Sequence, residues 1–423
     1  MQIKDTIVFN TITWIILIGT LFSGFLIASY ETYNSFFNSL LTVEIILVIY
    51  FSKRFTITQI TVSRILLGLL FIYSGFVKGV DPVGTEYRIV DYFIAFGTEW
   101  AIPLALPLSV IMSTAEFVLG VLLLLNISIQ ITSWLVMLMM AMFTVITLND
   151  AMYSLVPDCG CFGDVLVISN WQTFYKNLVI DALLLIVFFS SNRAGKWLKV
   201  KTEWTILFVS ILGFVVFEIY NIRHLPIIDF RDWKEGNRMV NNNPLPMKYY
   251  LTYKHVESGR EKEYVSPNYP YNDSVWLSEW EFVSQRVVDP NPQLHDLRIE
   301  DIDGIDYTNQ VIANPGFQFI LVSYDLGTSS NKNWENIKEI FNYCEKSETS
   351  FVVITSSLPE EVLLFKENNL PGADFYFGDD ITMMSMIRSN PGLILLKNGV
   401  VLHKWHFNDF PSVQEIKEEF HSP

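Results

Sequence analysis

The chain has 423 residues, a formal net charge of −15 and only three cysteines, and 51% of its residues are hydrophobic. So few cysteines exclude a disulfide-stapled scaffold. The acid excess leaves no basic stripe to neutralise phosphates, which argues against nucleic-acid binding.

The two halves differ. Up to His224 there are 12 Lys and Arg against 14 Asp and Glu, and from Leu225 onward 17 against 30, so the net charge divides as −2 and −13. Crossing the hydrocarbon core takes about 20 apolar residues in a helix, because unpaired backbone groups in lipid are prohibitively costly. Six or seven stretches qualify: Ile7–Ala28, Phe37–Phe51, Ile60–Val77, Trp100–Leu125, Ile127–Leu148, Trp171–Phe189 and Trp204–Tyr220. The second is short and carries Glu44 in mid-span. The first follows a single lysine, Lys4, and is too long for a signal-peptide core, so it reads as a retained anchor. Between the third and fourth spans, Ile89, Tyr92, Phe93 and Phe96 recur at helical spacing opposite Glu86, Arg88 and Asp91. Such a segment is either a helix lying at the membrane interface or a loop helix packed on the bundle.

Basic residues of short loops stay cytoplasmic. Lys53 and Arg54 mark one such loop, and Arg193, Lys196, Lys199 and Lys201 mark another. With seven spans these loops share a side, which predicts that 78–99, 149–170 and everything after Tyr220 lie outside.

Beyond the membrane half, strands around Tyr249–Tyr253 and Glu261–Val265 flank a turn at Ser258 and Gly259, a β-hairpin pattern. Pro290, Asn291 and Pro292 make a boundary. Strands are then expected at Phe317–Tyr324, Phe351–Thr355, Ala373–Phe377, Gly392–Leu396 and Val400–Trp405, the last two joined at Asn398-Gly399. Helices are expected at Trp334–Cys344, Pro359–Glu367, Ile381–Ile387 and Ser412–Phe420, which makes a small α/β domain. The expected organisation is 1–59 as extra membrane helices, 60–190 as a four-helix core, 191–224 as a last membrane helix, 225–296 as a connecting β-rich segment and 297–423 as the α/β domain.

The segment Asp158-Cys159-Gly160-Cys161-Phe162-Gly163-Asp164 falls in a loop on the expected outer side. Two thiols one glycine apart close only a tight ring, and strain eases reduction. A redox pair, a local structural disulfide, and free thiols or a metal site all remain open, although no His lies nearby in sequence to complete a zinc set. Ionisable residues inside spans are functional candidates by default, here Arg64, Lys78, Glu116 and Asp181. Arg64 and Lys78 also suit snorkelling to the surfaces, and Glu116 suits either a pocket wall or a hydrogen bond to a neighbouring helix.

The stretch Arg64-Ile-Leu-Leu-Gly68 through Phe71-Ile-Tyr-Ser-Gly75-Phe-Val-Lys78, followed by Asp81-Pro82, resembles the first helix and loop of DoxX-like membrane proteins, with Glu116 where that family carries an acidic residue in its second helix. The Cys-Gly-Cys-Phe-Gly-Asp loop is similar to that of the methylamine-utilisation MauE branch. The resemblance covers about Ile60 to Phe189. It implies a four-helix bundle related in plan to vitamin K epoxide reductase, and a role near disulfide formation or maturation of a periplasmic enzyme. From Leu297 the chain resembles a periplasmic thioredoxin fold: Asp301-Ile-Asp303-Gly304 is similar to its opening hairpin, and Asn390-Pro391 to its cis-proline strand. Where that family carries Cys-x-x-Cys this chain reads Asp325 to Trp334 without a thiol, and Cys344 falls on an apolar helix face with Ile340 and Phe341.

The fold expected is thus an α-helical polytopic membrane bundle, a DoxX/MauE-like four-helix core plus extra helices, joined to a periplasmic α/β thioredoxin-like domain in the bacterial inner membrane. Two functions follow. In one, Cys159 and Cys161 exchange electrons with a periplasmic protein partner, passing them to a quinone held in the bundle, while Asn331, Trp334 and Pro391 of the redox-dead domain bind that partner. In the other, the bundle is an anchor in the lipid bilayer and the protein is a non-enzymatic scaffold. No nucleic acid and no metal are expected in either.

Overall fold

The computed structural model describes residues 9–21, 35–51, 54–156, 160, 163–165, 168–193, 195, 197–241, 245–288, 290–291, 294–347 and 349–420. The chain forms two compact units, Met1–Arg231 and Asp232–Pro423.

The first unit is helical: α1 (Phe9–Leu21), α2 (Ser35–Phe51), α3 (Ile57–Val80), α4 (Pro82–Ala95), α5 (Ala105–Leu124), α6 (Ile129–Tyr153), α7 (Asn170–Ser190) and α8 (Val200–Arg223). Among the described residues five helical segments are long and apolar enough to cross a membrane: Ile57–Val80, Glu99–Leu124, Ile129–Tyr153, Asn170–Arg193 and Val200–Arg223. Their outward faces are apolar, as contact with lipid requires; Ile111, Leu138 and Phe208 are each more than half exposed. The 17 residues of α2 rise only about 26 Å, short of the roughly 30 Å hydrocarbon core. Of the first expected span only 9–21 is described, and Lys53 lies outside the described residues.

Local chemistry sets the helix starts. Thr56 and Gln59 form a reciprocal capping box at α3, as do Ser169 and Gln172 at α7, satisfying backbone N–H groups that the first turn leaves unpaired. Asp81 accepts from the Gly84 N–H at 2.9 Å and Pro82 opens α4, one turn before the amphipathic pattern begins. Pro103 sits in a 3₁₀ turn, Glu99–Leu104, so the regular helix expected from Trp100 starts at Ala105 instead.

Helices α3 and α5 pack at backbone distance. A Cβ added at Gly75 would fall 2.5 Å from the Phe117 nitrogen and 2.8 Å from the Ser113 oxygen, and one at Gly120 would fall 2.6 Å from the Ile72 nitrogen. Small residues permit this approach in membranes, where close packing and polar contacts hold helices together. Leu67, Phe71, Leu123, Met140 and Leu184 fill the core beside it.

The second unit holds two sheets. Strands β1 (Lys248–His255), β2 (Glu261–Val265) and β3 (Trp280–Val288) form an antiparallel sheet in the order β2-β1-β3, with α9 (Ser274–Glu279) leading into β3. The hairpin is the expected one; β3 and α9 were not anticipated. Tyr253 sits amid Tyr264, Tyr269, Trp276 and Phe282, ring centroids 4.7 to 6.1 Å away, a small aromatic core.

After α10 (Thr308–Ile312), the five-stranded sheet runs β6-β5-β4-β7-β8, built from β4 (Phe317–Val322), β5 (Ser350–Thr355), β6 (Asp374–Phe377), β7 (Gly392–Lys397) and β8 (Val400–His406). Strands β4, β5 and β6 are parallel; β7 and β8 run antiparallel to their neighbours. Phe319 to Val322 are all fully buried, because the sheet is covered on both faces and its central strand reads as a continuous apolar run. Helix α11 (Trp334–Lys346) lays Ile337, Ile340, Phe341 and Cys344 against one face. Helices α12 (Pro359–Asn369), α13 (Asp380–Met386) and α14 (Val413–Phe420) complete the domain. Asn398 and Gly399, φ +50° and +71°, turn β7 into β8, and the Asn390-Pro391 bond is cis.

Candidate functional site

A cleft of about 480 Å³ opens among α3, α4, α5, α6 and α7. Its walls are apolar, with Met112, Met139, Met140 and Met142 beside Phe71 and Phe143, and its polar groups are few. Methionine is unbranched and polarisable, so such walls adapt to the shape of an apolar ligand.

At the inner end, Ser74 and Lys78, one turn apart on α3, face Glu116 on α5. Lys78 Nζ donates to Glu116 Oε1 at 2.5 Å and Ser74 Oγ donates to Oε2 at 2.7 Å. The lysine and glutamate side chains are 6% and 2% exposed, so neither charge reaches bulk water, and the Phe143 ring lies 5.4 Å from Nζ. The expectation that Lys78 snorkels to the surface is corrected: a carboxylate two turns inside α5 gives its charge a partner that a surface route would forgo. Of the candidates in the membrane half, Lys78 and Glu116 are brought together.

Arg64 and Asp181 stand apart from them. Arg64 is 2% exposed and does not snorkel either. Its Nη1 donates to the Leu123 and Leu124 carbonyls, placing a cation on the C-terminal carbonyls of α5, where the helix dipole is negative. Asp181 accepts from Thr144 Oγ1 at 2.8 Å, tying α7 to α6.

The outer end of the cleft is roofed by α4. Tyr92 donates to Asp150 Oδ2 at 2.5 Å, fixing α4 over the end of α6, and Asn177 donates to Thr147 at 3.1 Å just inside. Arg88, Lys176 and Gly160 also line the cleft. Gly160 has φ +60° and a Cβ there would meet Arg88 Cγ at 2.9 Å, so both backbone and space call for glycine. Cys159 and Cys161, its neighbours in sequence, lie outside the described residues.

One buried acid escaped the sequence reading. Glu218 on α8, fully buried, accepts from Ser113 and from Thr114 at 2.6 Å, on the opposite side of α5 from the cleft. Its signal was the pair Ser113-Thr114 beside Glu116, which offers hydroxyls to two faces of one helix.

In the second unit, the thiol-free loop closes on Asn390. The Asn390 carbonyl accepts from the Ser330 N–H at 3.0 Å, its Nδ2 donates to the Asp325 carbonyl at 2.7 Å, and Ser323 Oγ lies 3.1 Å from both Ser329 Oγ and Asn390 Oδ1. The backbone beside Pro391, expected to be open to a partner strand, therefore has this carbonyl engaged within the domain. Trp334, expected at the same surface, is also corrected: its ring is 7% exposed and packs edge-on against Phe365 at 5.5 Å, because it opens the buried face of α11. Asn331 is exposed. Burial pushes the Cys344 thiol up to about 12, which makes it a poor nucleophile.

The model of the family described as Methylamine utilisation protein MauE matches residues 56–190, less than half of the chain. No curated protein and no solved structure matches. The matched segment runs from α3 through α7 and contains every residue lining the cleft, so the similarity and the membrane-length helices together support a MauE-type membrane protein.

Proposed function

We propose that the protein is an accessory of thiol–disulfide chemistry in the bacterial envelope, serving the maturation of a partner protein in a methylamine-utilisation-type system. Cys159 and Cys161 are the exchanging pair in this reading, and the cleft holds a lipophilic acceptor of the quinone class. The observation that carries it is Gly160: the residue between the two cysteines lines the same cleft as Lys78 and Glu116.

A partner dithiol attacks the Cys159–Cys161 disulfide, a mixed disulfide forms and resolves, and the partner leaves oxidised while the pair gains two electrons and two protons. A quinone takes up two electrons and two protons and becomes a quinol. The chain's own contribution is positional: apolar walls exclude water, and Lys78 Nζ and Ser74 Oγ, held on Glu116, set donors at the polar end of an otherwise apolar cleft. The basic loops at Lys53 to Arg54 and Arg193 to Lys201 support an inner-membrane orientation with the second unit in the periplasm.

For the second unit, the parallel β4, β5 and β6 with an antiparallel β7–β8 hairpin, the turn at Asp301 to Ile305 and the cis Pro391 support a thioredoxin-like reading without redox chemistry. Its thiol-free loop and buried Cys344 also favour the scaffold reading, in which this unit alone carries function.

Purified full chain in detergent, given dithiothreitol and a short-chain ubiquinone, should reduce the quinone, and Cys159→Ser and Cys161→Ser should remove that activity. Wild-type rates equal to those of either variant would leave only the scaffold.

A further inference from the structure

Beside the cleft lies a second, smaller pocket whose lining includes Asp81, Thr85, Arg88, Gly160 and Arg231. The first turn of α4, Gly160 and Gly163, and the segment after α8 converge there.

Arg231 is the informative residue. Its side chain is 6% exposed and its Nε donates to Asp229 Oδ1 at 2.8 Å. Both terminal nitrogens, Nη1 and Nη2, are buried without a hydrogen-bond partner. A guanidinium presents five N–H donors in a rigid plane and cannot shed its charge, and a buried donor left unmade forfeits its full desolvation energy. Four N–H groups of one buried cation are thus in want of acceptors.

The neighbouring charges do not supply them. Asp81 Oδ1 accepts from the Gly84 N–H at 2.9 Å, Asp229 Oδ1 accepts from the Arg231 backbone N–H at 3.1 Å as well as from Nε, and Arg88 leans toward Asp91 at 3.4 Å. Among the described residues, the side chains lining the pocket therefore carry two guanidinium groups against one carboxylate, which caps a helix.

We propose that Arg231, with Arg88 beside it, forms a binding site for an oxyanion group, a carboxylate or phosphate that meets Nη1 and Nη2 with two oxygens. Paired parallel hydrogen bonds of this kind are the geometry for which arginine is suited and lysine is not. Arg231 follows the last membrane-length helix, Val200–Arg223, and Arg88 follows the span that ends at Val80. Either a free anion or the phosphate of an anionic lipid supplies the same chemistry. Nothing in the inference depends on the cysteines or on the cleft ligand.

The test is thermal unfolding of the full chain in dodecyl maltoside, a detergent without phosphate, with inorganic phosphate replacing chloride at constant ionic strength. A saturable rise in melting temperature of a few degrees or more is expected. Arg231→Lys, which keeps the charge and loses the fork, should weaken the apparent affinity about tenfold or more. A response to short-chain phosphatidic acid but not to phosphate assigns the site to a lipid headgroup, and the reverse assigns it to a free anion. Equilibrium dialysis of wild-type protein with labelled phosphate and labelled phosphatidic acid provides a readout should the variant fold poorly. No saturable response to either probe, or an equal response in Arg231→Lys, overturns the proposal.

Discussion

Replacing Glu116 by Gln leaves the Lys78 ammonium buried against a neutral amide. At the observed 2.5 Å, two unit charges attract by about 6–7 kcal/mol gross at an effective dielectric of about 20. Desolvation of two ions, several kcal/mol each, offsets most of that, so the intact pair contributes little net stability. Removing one partner is different, because the surviving charge keeps its desolvation cost without its compensation, and the expected loss is about 3–5 kcal/mol. Lys78→Met alone should cost a similar amount by orphaning the carboxylate, with Ser74 still donating. The double variant Glu116→Gln/Lys78→Met has no buried charge and should recover most of the loss. Unfolding of the four proteins in mixed detergent micelles gives the cycle directly. Quinone reduction measured on the same samples separates structure from function: the double variant should be stable and inactive. Additive losses in the double variant would refute the argument from charge pairing. Full activity in it would refute the role assigned to the pair.

Gly120→Ala and Gly75→Ala should each destabilise the membrane half by about 1–3 kcal/mol despite the better helix propensity of alanine, since the new methyl meets backbone atoms that cannot rotate away; detergent unfolding midpoints check this. Arg64→Met strips two α5 carbonyls of their donor and should cost about 1–3 kcal/mol by the same measurement. Cys344 should resist iodoacetamide at pH 8 in the native protein and react once unfolded. Its thiol proton is held to about 12 in the fold but released near 8.5 from an unfolded chain. The stabilisation is therefore complete below about pH 8.5 and lost progressively as pH rises toward 12. Cys344→Ala should flatten that slope in denaturant melts between pH 8 and 11.

Hydropathy alone located the membrane-length helices, because a helix in lipid must be apolar over a length set by the bilayer. It could not locate their partners. Lys78 and Glu116 lie 38 residues apart, and whether a lysine in the last turn of a span snorkels or pairs is decided by which helices pack, a tertiary fact. Glu218 was missed because it sits five residues before Arg223, near a helix end, where a charge attracts no notice; its burial comes from α5. Strand β3 escaped for another reason. Seven of its nine residues are exposed, so no alternation of apolar and polar positions marks it, and it is held by pairing with a strand some thirty positions away. The α/β domain was more legible, since its buried strands are short apolar runs punctuated by turn residues such as Asn398-Gly399. The pocket at Arg231 left no trace in the sequence, because it joins stretches far apart in the chain: the first turns of α4, Gly160 and Gly163, and the residues after α8.

Ser323, Thr328, Ser329 and Asn390 form a web of hydroxyls and amides at the end of the central strands. Such groups neither gain nor lose electrons in exchange with thiols, so this end of the domain keeps a single shape in oxidising and reducing surroundings alike. In the reading proposed above, a partner docked there would meet the same surface at every stage of its own oxidation, so its release would have to come from a change in the partner's shape.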